Sequence, residues 1–121
     1  MTTLQTITAF VRKPGLSFPQ ALSRHPRKND ISLTIALNQH ETYVEALKKV
    51  GVIVEYLPPQ DHLPDATFIE DTAVILEDKF LLCPMKELSR QTETKLTSSA
   101  LGKYLDRLTL DSMSTLDGGD V

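Results

Sequence analysis

The sequence contains a single cysteine, and it has neither a long apolar run nor a recognisable targeting segment. Because Cys83 is alone among the 121 residues, no disulfide can form within the chain, which suits a reducing compartment. No apolar stretch approaches the ~20 residues of a membrane span. The first six residues lack the basic and apolar segments of a secretory signal. We therefore expect a cytoplasmic protein with no membrane partner.

Basic residues cluster in one short segment only. The net charge is −3. A nucleic-acid-binding protein normally presents a broader basic face, so we interpret this cluster as a solvated loop and expect no nucleic-acid partner. The cluster consists of Arg24, His25, Arg27 and Lys28. The composition, 40% hydrophobic and 24% charged, is that of one globular domain that can bury a core.

The apolar pattern predicts an α/β fold in which strands and helices alternate. Strands are predicted at residues 7–11, 52–57, 72–76, 80–83 and 109–113, and helices at 32–50 and 92–108. Asp30 or Ser32 is a candidate cap for the first helix, and Ser89 for the second. Residues 15–30, between the first strand and the first helix, form a long loop of the kind that often acts as a lid.

Each predicted helix has an apolar stripe with steps of three and four residues. In the first helix the stripe includes a histidine and consists of Leu33, Leu37, His40, Val44 and Leu47. In the second helix the stripe consists of Leu96, Ala100, Tyr104 and Leu108. Both helices follow a strand and precede a strand, which suggests a repeated unit.

The chain ends at Val121, the first apolar residue after a Gly-Gly turn, where a strand is expected to begin. We interpret this ending as a truncation, a split gene or one piece of a protein cut in two.

The most informative segment is 63–76, in which Glu70 and Asp71 interrupt an apolar run. Burial of an unpaired carboxylate is costly, so the two acids either lie at an exposed strand end or face a cationic partner. Neighbours on an extended strand point to opposite faces, so both can serve one ligand only where the backbone bends. A guanidinium ligand would match them because it pairs with carboxylates in a bidentate manner. Asp65 could supply a third carboxylate, and no loop has the ligand spacing of a calcium site.

A second acidic turn, residues 117–120, reads Asp-Gly-Gly-Asp. One interpretation is a simple hairpin turn whose glycines adopt left-handed backbone angles. The other is a carboxylate, Asp117, that orients a catalytic histidine.

The histidines and the cysteine of this chain do not indicate a catalytic triad. We interpret His40 as a partly buried histidine on the apolar face of its helix, and Cys83 as a buried structural thiol at the end of a strand. His25 and His62 lie in loops and are expected to be solvated.

Taken together, the motifs resemble those of the dimethylarginine dimethylaminohydrolase family. The resemblance rests on residues 63–65 (Leu-Pro-Asp), 68–74 (Phe-Ile-Glu-Asp-Thr-Ala-Val) and 116–121 (Leu-Asp-Gly-Gly-Asp-Val). Residues 39–40, 43–44 and 89–90 agree in order and spacing. It covers nearly the whole chain but only about the first half of a family member.

The resemblance implies a pentein fold, which is an α/β propeller of five strand–helix units around a central site. Residues 1–121 would then be the N-terminal portion of one such domain, with the C-terminal half absent. It also implies metal-free and cofactor-free hydrolysis of Nω-methylated arginine to citrulline and methylamine. The attacking cysteine and the proton-transferring histidine of the family lie in that C-terminal half. The implied partner is the missing half or a second copy of the chain.

The resemblance also implies roles for individual residues. Asp65, Glu70 and Asp71 would hold the guanidinium and the amine end of the substrate. Arg90 would bind its α-carboxylate, and Leu22 would belong to the lid. Asp117 would partner the catalytic histidine.

Three alternatives stay open at this point. Arginine deiminases and amidinotransferases share the fold, but they tend to carry an Arg-Asp-Pro type motif where this chain has Glu70-Asp71-Thr72. The chain could also be a non-catalytic module that binds a guanidine or a protein. Finally, it could be an inert remnant of an interrupted gene.

Overall fold

The protein is described by a computed structural model that covers residues 6–108, 115–116 and 118–120. Within it the chain divides into two compact units, Met1–Thr67 and Phe68–Val121. The element order is α/β, as the sequence predicted. The predicted strand at 109–113 and the candidate residue Asp117 lie outside the described residues.

The first unit is a parallel strand–helix–strand. Strand β1 (Thr8–Val11) pairs in parallel with β2 (Ile53–Tyr56), and helix α1 (Leu33–Lys49) connects them. The predicted helix boundaries are confirmed to within a residue. Ser32 is the cap, since its hydroxyl accepts a hydrogen bond from the backbone N–H of Ile35 at 3.3 Å. At the other end Gly51 adopts φ +89°, which ends the helix at little conformational cost.

The predicted apolar stripe of α1 is the side of the helix that is covered. Val44 is fully buried, and the other four members of the stripe are half-buried. Val11 at the end of β1 and Ala66 are also buried. The loop between β1 and α1 contains two short 3-10 turns, Phe18–Gln20 and Lys28–Asp30.

The second unit combines a hairpin with another parallel crossover. Strands β3 (Ala73–Leu76) and β4 (Lys79–Leu82) pair antiparallel, and β5 (Asp106–Leu108) pairs in parallel with β4. The turn between β3 and β4 contains Glu77 at φ +58°. Helix α2 (Gln91–Leu101) connects β4 to β5. Among the described residues of the second unit, Phe80, Cys83, Met85 and Leu101 are buried apolar residues.

The second helix differs from the prediction in length, cap and buried face. The helix ends at Leu101, and residues 106–108, predicted as helix, form β5 because they pair with β4. Ser89 is not the cap; it lies inside a 3-10 turn, Leu88–Arg90, that leads into the helix. The buried face is centred on Glu93, Thr97 and Leu101, whereas Tyr104 is exposed and lies beyond the helix. An apolar pattern does not predict this buried face, because two of its residues, Glu93 and Thr97, are polar.

Candidate functional site

The acidic pair Glu70–Asp71 lies in a 3-10 turn, Ile69–Asp71, directly before β3. The backbone therefore bends at the acids, which is the condition for both of them to face one ligand. Thr72 fixes the end of the turn, because its hydroxyl donates to the carbonyl of Ile69 at 2.6 Å and lies 2.8 Å from the hydroxyl of Thr97. Glu70 is exposed and Asp71 is half-buried.

Asp71 already binds a guanidinium, which belongs to Arg90. The Nη1 of Arg90 donates to Oδ2 of Asp71 at 2.9 Å, and the two side chains are 7% and 22% exposed. The Nη2 of Arg90 donates to the backbone carbonyl of Phe68 at 3.1 Å, directly before the acidic turn. Two predicted site residues, distant in the sequence, are thus brought into direct contact.

Glu93 completes this cluster, and sequence analysis did not identify it. The Nε of Arg90 donates to Oε2 of Glu93 at 3.1 Å, and its Nη2 donates to Oε1 at 2.9 Å. Glu93 is only 1% exposed. The available signal was the Arg-x-x-Glu spacing, since residues three apart on a helix are neighbours.

The charges and hydrogen bonds of the cluster favour a charged guanidinium. Burial alone would lower the pKa of Arg90. Hydrogen bonds to Glu93 and Asp71, together with the negative charge of both, outweigh burial and raise the pKa of Arg90. The turn is therefore an environment in which carboxylates stabilise a guanidinium that is largely removed from water.

The second acidic turn lies against the first one. A Cβ atom added at Gly118 would clash with the backbone carbonyl oxygen of Glu70, and it would lie 3.2 Å from the carbonyl oxygen of Ala73. Only glycine fits this close backbone approach. The neighbour of Asp117 in the sequence is therefore packed on the backbone of the Glu70–Asp71 turn.

In the first unit the structure brings together Leu22 and Asp65. The carboxylate of Asp65 accepts a hydrogen bond from the backbone N–H of Leu22, at 3.1 Å to Oδ1 and 3.3 Å to Oδ2. Asp65 is 5% exposed, whereas Leu22 is 53% exposed at the loop surface. Leu22 also lines an open cavity of about 410 Å³ formed by the loop.

A buried arginine fixes the segment that carries Asp65. The guanidinium of Arg12 donates to the carbonyls of Pro58 and Ala66 at 3.0 and 2.9 Å. The hydroxyl of Thr67 donates in turn to the carbonyl of Arg12 at 2.7 Å. Sequence analysis did not single out Arg12, because nothing in an isolated Arg next to an apolar strand distinguishes a buried clamp from a solvated cation.

The cysteine and the three histidines differ in their exposure. Cys83 is fully buried, His25 and His62 are exposed, and His40 is half-buried on α1. Over the described part of the chain, no group of three or more His, Cys, Asp or Glu side chains could hold a metal ion. No described helix is both long and apolar enough to cross a membrane.

A comparison with protein families decides the relationship. The family model for eukaryotic N,N dimethylarginine dimethylhydrolase matches residues 17–119. The chain belongs to this family. The match includes the Glu70–Asp71 turn, residues 117–119 of the second acidic turn, residues 17–30 of the loop before α1, and the Arg90 segment.

An individual family member supports this assignment, and solved structures have the same fold. The N(G),N(G)-dimethylarginine dimethylaminohydrolase of Streptomyces coelicolor is 32% identical over 114 residues, which are 93% of this chain and 44% of that protein. The fold matches a mutant of the Pseudomonas aeruginosa enzyme complexed with citrulline, with a TM-score of 0.89, 24% identity, and coverage of 97% of this chain and 46% of the other. It also matches the N-terminal domain of ArgZ, a cyanobacterial arginine dihydrolase, with a TM-score of 0.82, 17% identity and coverage of 94% and 43%. This chain thus spans less than half the length of each of these three proteins.

Proposed function

We propose that this chain supplies the guanidinium-recognising part of a hydrolase that converts Nω-methylated arginine and water to citrulline and methylamine. The observation that carries the proposal is the contact between Asp71 and the guanidinium of Arg90 at 2.9 Å. This contact supports the proposal, because the substrate presents the same chemical group, a guanidinium. Family membership indicates the reaction class, and the carboxylates indicate which part of the reaction these residues serve.

Each candidate residue has a distinct task in this proposal. Asp71 and Glu70 attract and orient the substrate guanidinium, so that its carbon is presented to a thiolate. Asp65 binds the amine end of the substrate, and Leu22 closes the lid over it. Asp117 orients the histidine that transfers protons.

The role of Arg90 toward the substrate α-carboxylate stays a prediction. Other acceptors already occupy the guanidinium of Arg90. Its guanidinium already donates to Asp71, Glu93 and the Phe68 carbonyl. A ligand carboxylate would have to compete with these charged acceptors. We propose that Arg90 serves the site first by holding Asp71.

The cysteine nucleophile and the histidine would come from residues outside the 121. In the proposal this chain is the N-terminal portion of a five-unit α/β propeller of the pentein type, and its partner is the remaining portion or a second copy. Two features support a chain built from such units: the parallel strand–helix–strand in each compact unit, and exposed apolar side chains such as Ile7 and Leu88. A cytoplasmic location and a place in arginine metabolism would follow from the lone thiol and the substrate.

The test compares a charged ligand with a neutral one of nearly the same shape. Nω-methylarginine carries a guanidinium, whereas citrulline carries an uncharged ureido group in the same position. In an NMR titration of the 121-residue chain, we expect methylarginine to shift the backbone amides of residues 68–72 and to bind at least about tenfold more tightly than citrulline. Equal affinity for the two ligands, or no binding of methylarginine, would contradict the proposal.

A further inference from the structure

Glu93 is a buried carboxylate that has no assigned role and contacts the candidate site through Arg90. It lies in the first turn of α2 and is 1% exposed. Both of its oxygens accept hydrogen bonds from Arg90, over the Nε and Nη2 edge of the guanidinium. A buried ionised carboxylate is costly to keep, so its presence calls for a physical reason.

The charges of the cluster provide that reason. Arg90 and Asp71 by themselves would form a neutral pair, and a neutralised Asp71 would attract a substrate cation weakly. Glu93 adds a second negative charge, so the three side chains together carry a net charge of −1. The guanidinium of Arg90 thereby has its own counter-charge, and Asp71 keeps its negative charge for a ligand.

Different nitrogens of the Arg90 guanidinium donate to the two acids. Glu93 takes the Nε and Nη2 edge, while Nη1 donates to Asp71 at 2.9 Å. A planar guanidinium held along one edge is fixed in orientation, so its opposite nitrogen is fixed as well. Glu93 therefore determines where Arg90 presents its hydrogen bond to Asp71.

We propose that Glu93 is a positioning residue of the guanidine site, which keeps the acidic turn negatively charged and correctly oriented toward a cationic ligand. This inference rests on the proposed function and deepens it, because it assigns the cation selectivity of the site to a residue that does not touch the ligand. The simpler alternative is an ion pair that only stabilises the start of α2. That alternative predicts a change in stability without a change in ligand selectivity.

Glu93→Gln separates the two, because it keeps the shape of the side chain and removes its charge. The measurement is the ratio of the dissociation constants of citrulline and Nω-methylarginine for the 121-residue chain, obtained by NMR titration. We expect Glu93→Gln to weaken methylarginine binding by about tenfold and to leave citrulline binding unchanged. Glu77→Gln is the matched control, since it removes the same charge from an exposed hairpin position of the same unit, and its ratio should equal that of the parent.

Glu93→Asp is the second variant, and it also serves if Glu93→Gln fails to fold. It keeps the charge but withdraws the carboxylate by one methylene, so it should lower the thermal midpoint while retaining most of the ratio. The proposal would be overturned if the ratio in Glu93→Gln stayed at the parent value. It would also be overturned if the ratio in Glu93→Asp fell about tenfold or more below the parent value. If the parent itself does not prefer methylarginine, the proposed function fails, and the role of Glu93 fails with it.

Discussion

The carboxylate of Asp65 holds the backbone N–H of Leu22, at 3.1 and 3.3 Å, across 43 residues of sequence. A buried acid proposed to bind the substrate thus also fastens the loop proposed to close over it. A ligand amine that binds Asp65 would bind a carboxylate that already accepts a hydrogen bond from the proposed lid loop at Leu22. The position of the loop and the occupancy of the site are therefore expected to be coupled.

Asp65→Asn tests this coupling through the exchange of one amide proton. The asparagine keeps the size of the side chain but loses the charge, and a charge-assisted hydrogen bond contributes about 1.5–3 kcal/mol. We expect the Leu22 amide to exchange with solvent about ten- to a hundredfold faster in the variant, as measured by NMR. Asp61→Asn is the control, because Asp61 accepts from the backbone N–H of Leu16 at an exposed position. Unchanged protection of Leu22 in Asp65→Asn would remove the proposed link to the lid.

Arg12→Met tests whether the buried clamp supports the first unit. The change leaves the carbonyls of Pro58 and Ala66 without the two hydrogen bonds that Arg12 donates. The carbonyl of Ala66 is buried, and a buried acceptor that loses its partner costs about 1–3 kcal/mol, whereas Pro58 is exposed and water can replace its hydrogen bond. We therefore expect the free energy of unfolding to fall by about 1–3 kcal/mol in denaturant titrations. Arg27→Met should change it by no more than about 0.5 kcal/mol, since the ion pair of Arg27 with Asp30 is exposed. A loss in Arg12→Met as small as that in Arg27→Met would show that the clamp does not stabilise the unit.

Cys83 is expected to be chemically silent in the folded chain. It is fully buried, and its Sγ lies 4.0 Å from the carbonyl of Leu81. We expect a thiol reagent to label it slowly until denaturant is added, and the pure 121-residue chain to form no citrulline from methylarginine. Citrulline formed by the chain and lost in Cys83→Ser would instead reveal a nucleophile within these residues.

His40 gives the stability of the chain a defined dependence on pH. Burial of the imidazole, and then the positive charge of Lys13, lower the pKa of His40 below its ordinary value of 6.5. The unfolded chain therefore takes up this proton at a higher pH than the folded chain does. The contribution of His40 is fully present above pH 6.5 and is lost as the pH falls through the folded pKa.

We accordingly expect His40→Gln to show a smaller loss of thermal midpoint between neutral and mildly acidic pH than the parent shows. His62→Gln, which changes an exposed histidine of a loop, should retain the parental loss. Lys13→Met should show a loss of thermal midpoint between those of His40→Gln and His62→Gln, because it removes the charge of Lys13 but leaves the imidazole of His40 buried. Identical pH profiles for the parent and His40→Gln would contradict this assignment.

Patterns that depend on neighbouring residues were predictable from the sequence. The stripe from Leu33 to Leu47 defined α1, and Ser32 was one of the two candidate caps at its start, because helix periodicity and capping are local properties. The acidic turn at Glu70 and Asp71 was identified because charges inside an apolar run require an explanation. The family motifs then connected it with the segment around Ser89 and Arg90.

Features that depend on distant contacts were not predictable. Leu108 continues an apolar stripe, yet pairing with β4 makes residues 106–108 a strand, so tertiary contacts override local propensity. Glu93 was missed because an acid on a helix is normally solvated, and only the partner Arg90 makes its burial tolerable. The contact between Asp65 and Leu22 likewise requires the fold of the first unit.

The most direct test of the central claim is the effect of Asp71→Asn on ligand charge selectivity. The variant removes the negative charge that contacts a guanidinium in the structure but preserves the shape of the side chain. Measured by NMR titration, the ratio of the citrulline and Nω-methylarginine dissociation constants should be at least about ten in the parent and should fall toward one in Asp71→Asn. Asp78→Asn, at an exposed turn of the same unit, should keep the parental ratio. A ratio equal to the parent in Asp71→Asn would show that the acidic turn is only an exposed strand end and does not recognise guanidines.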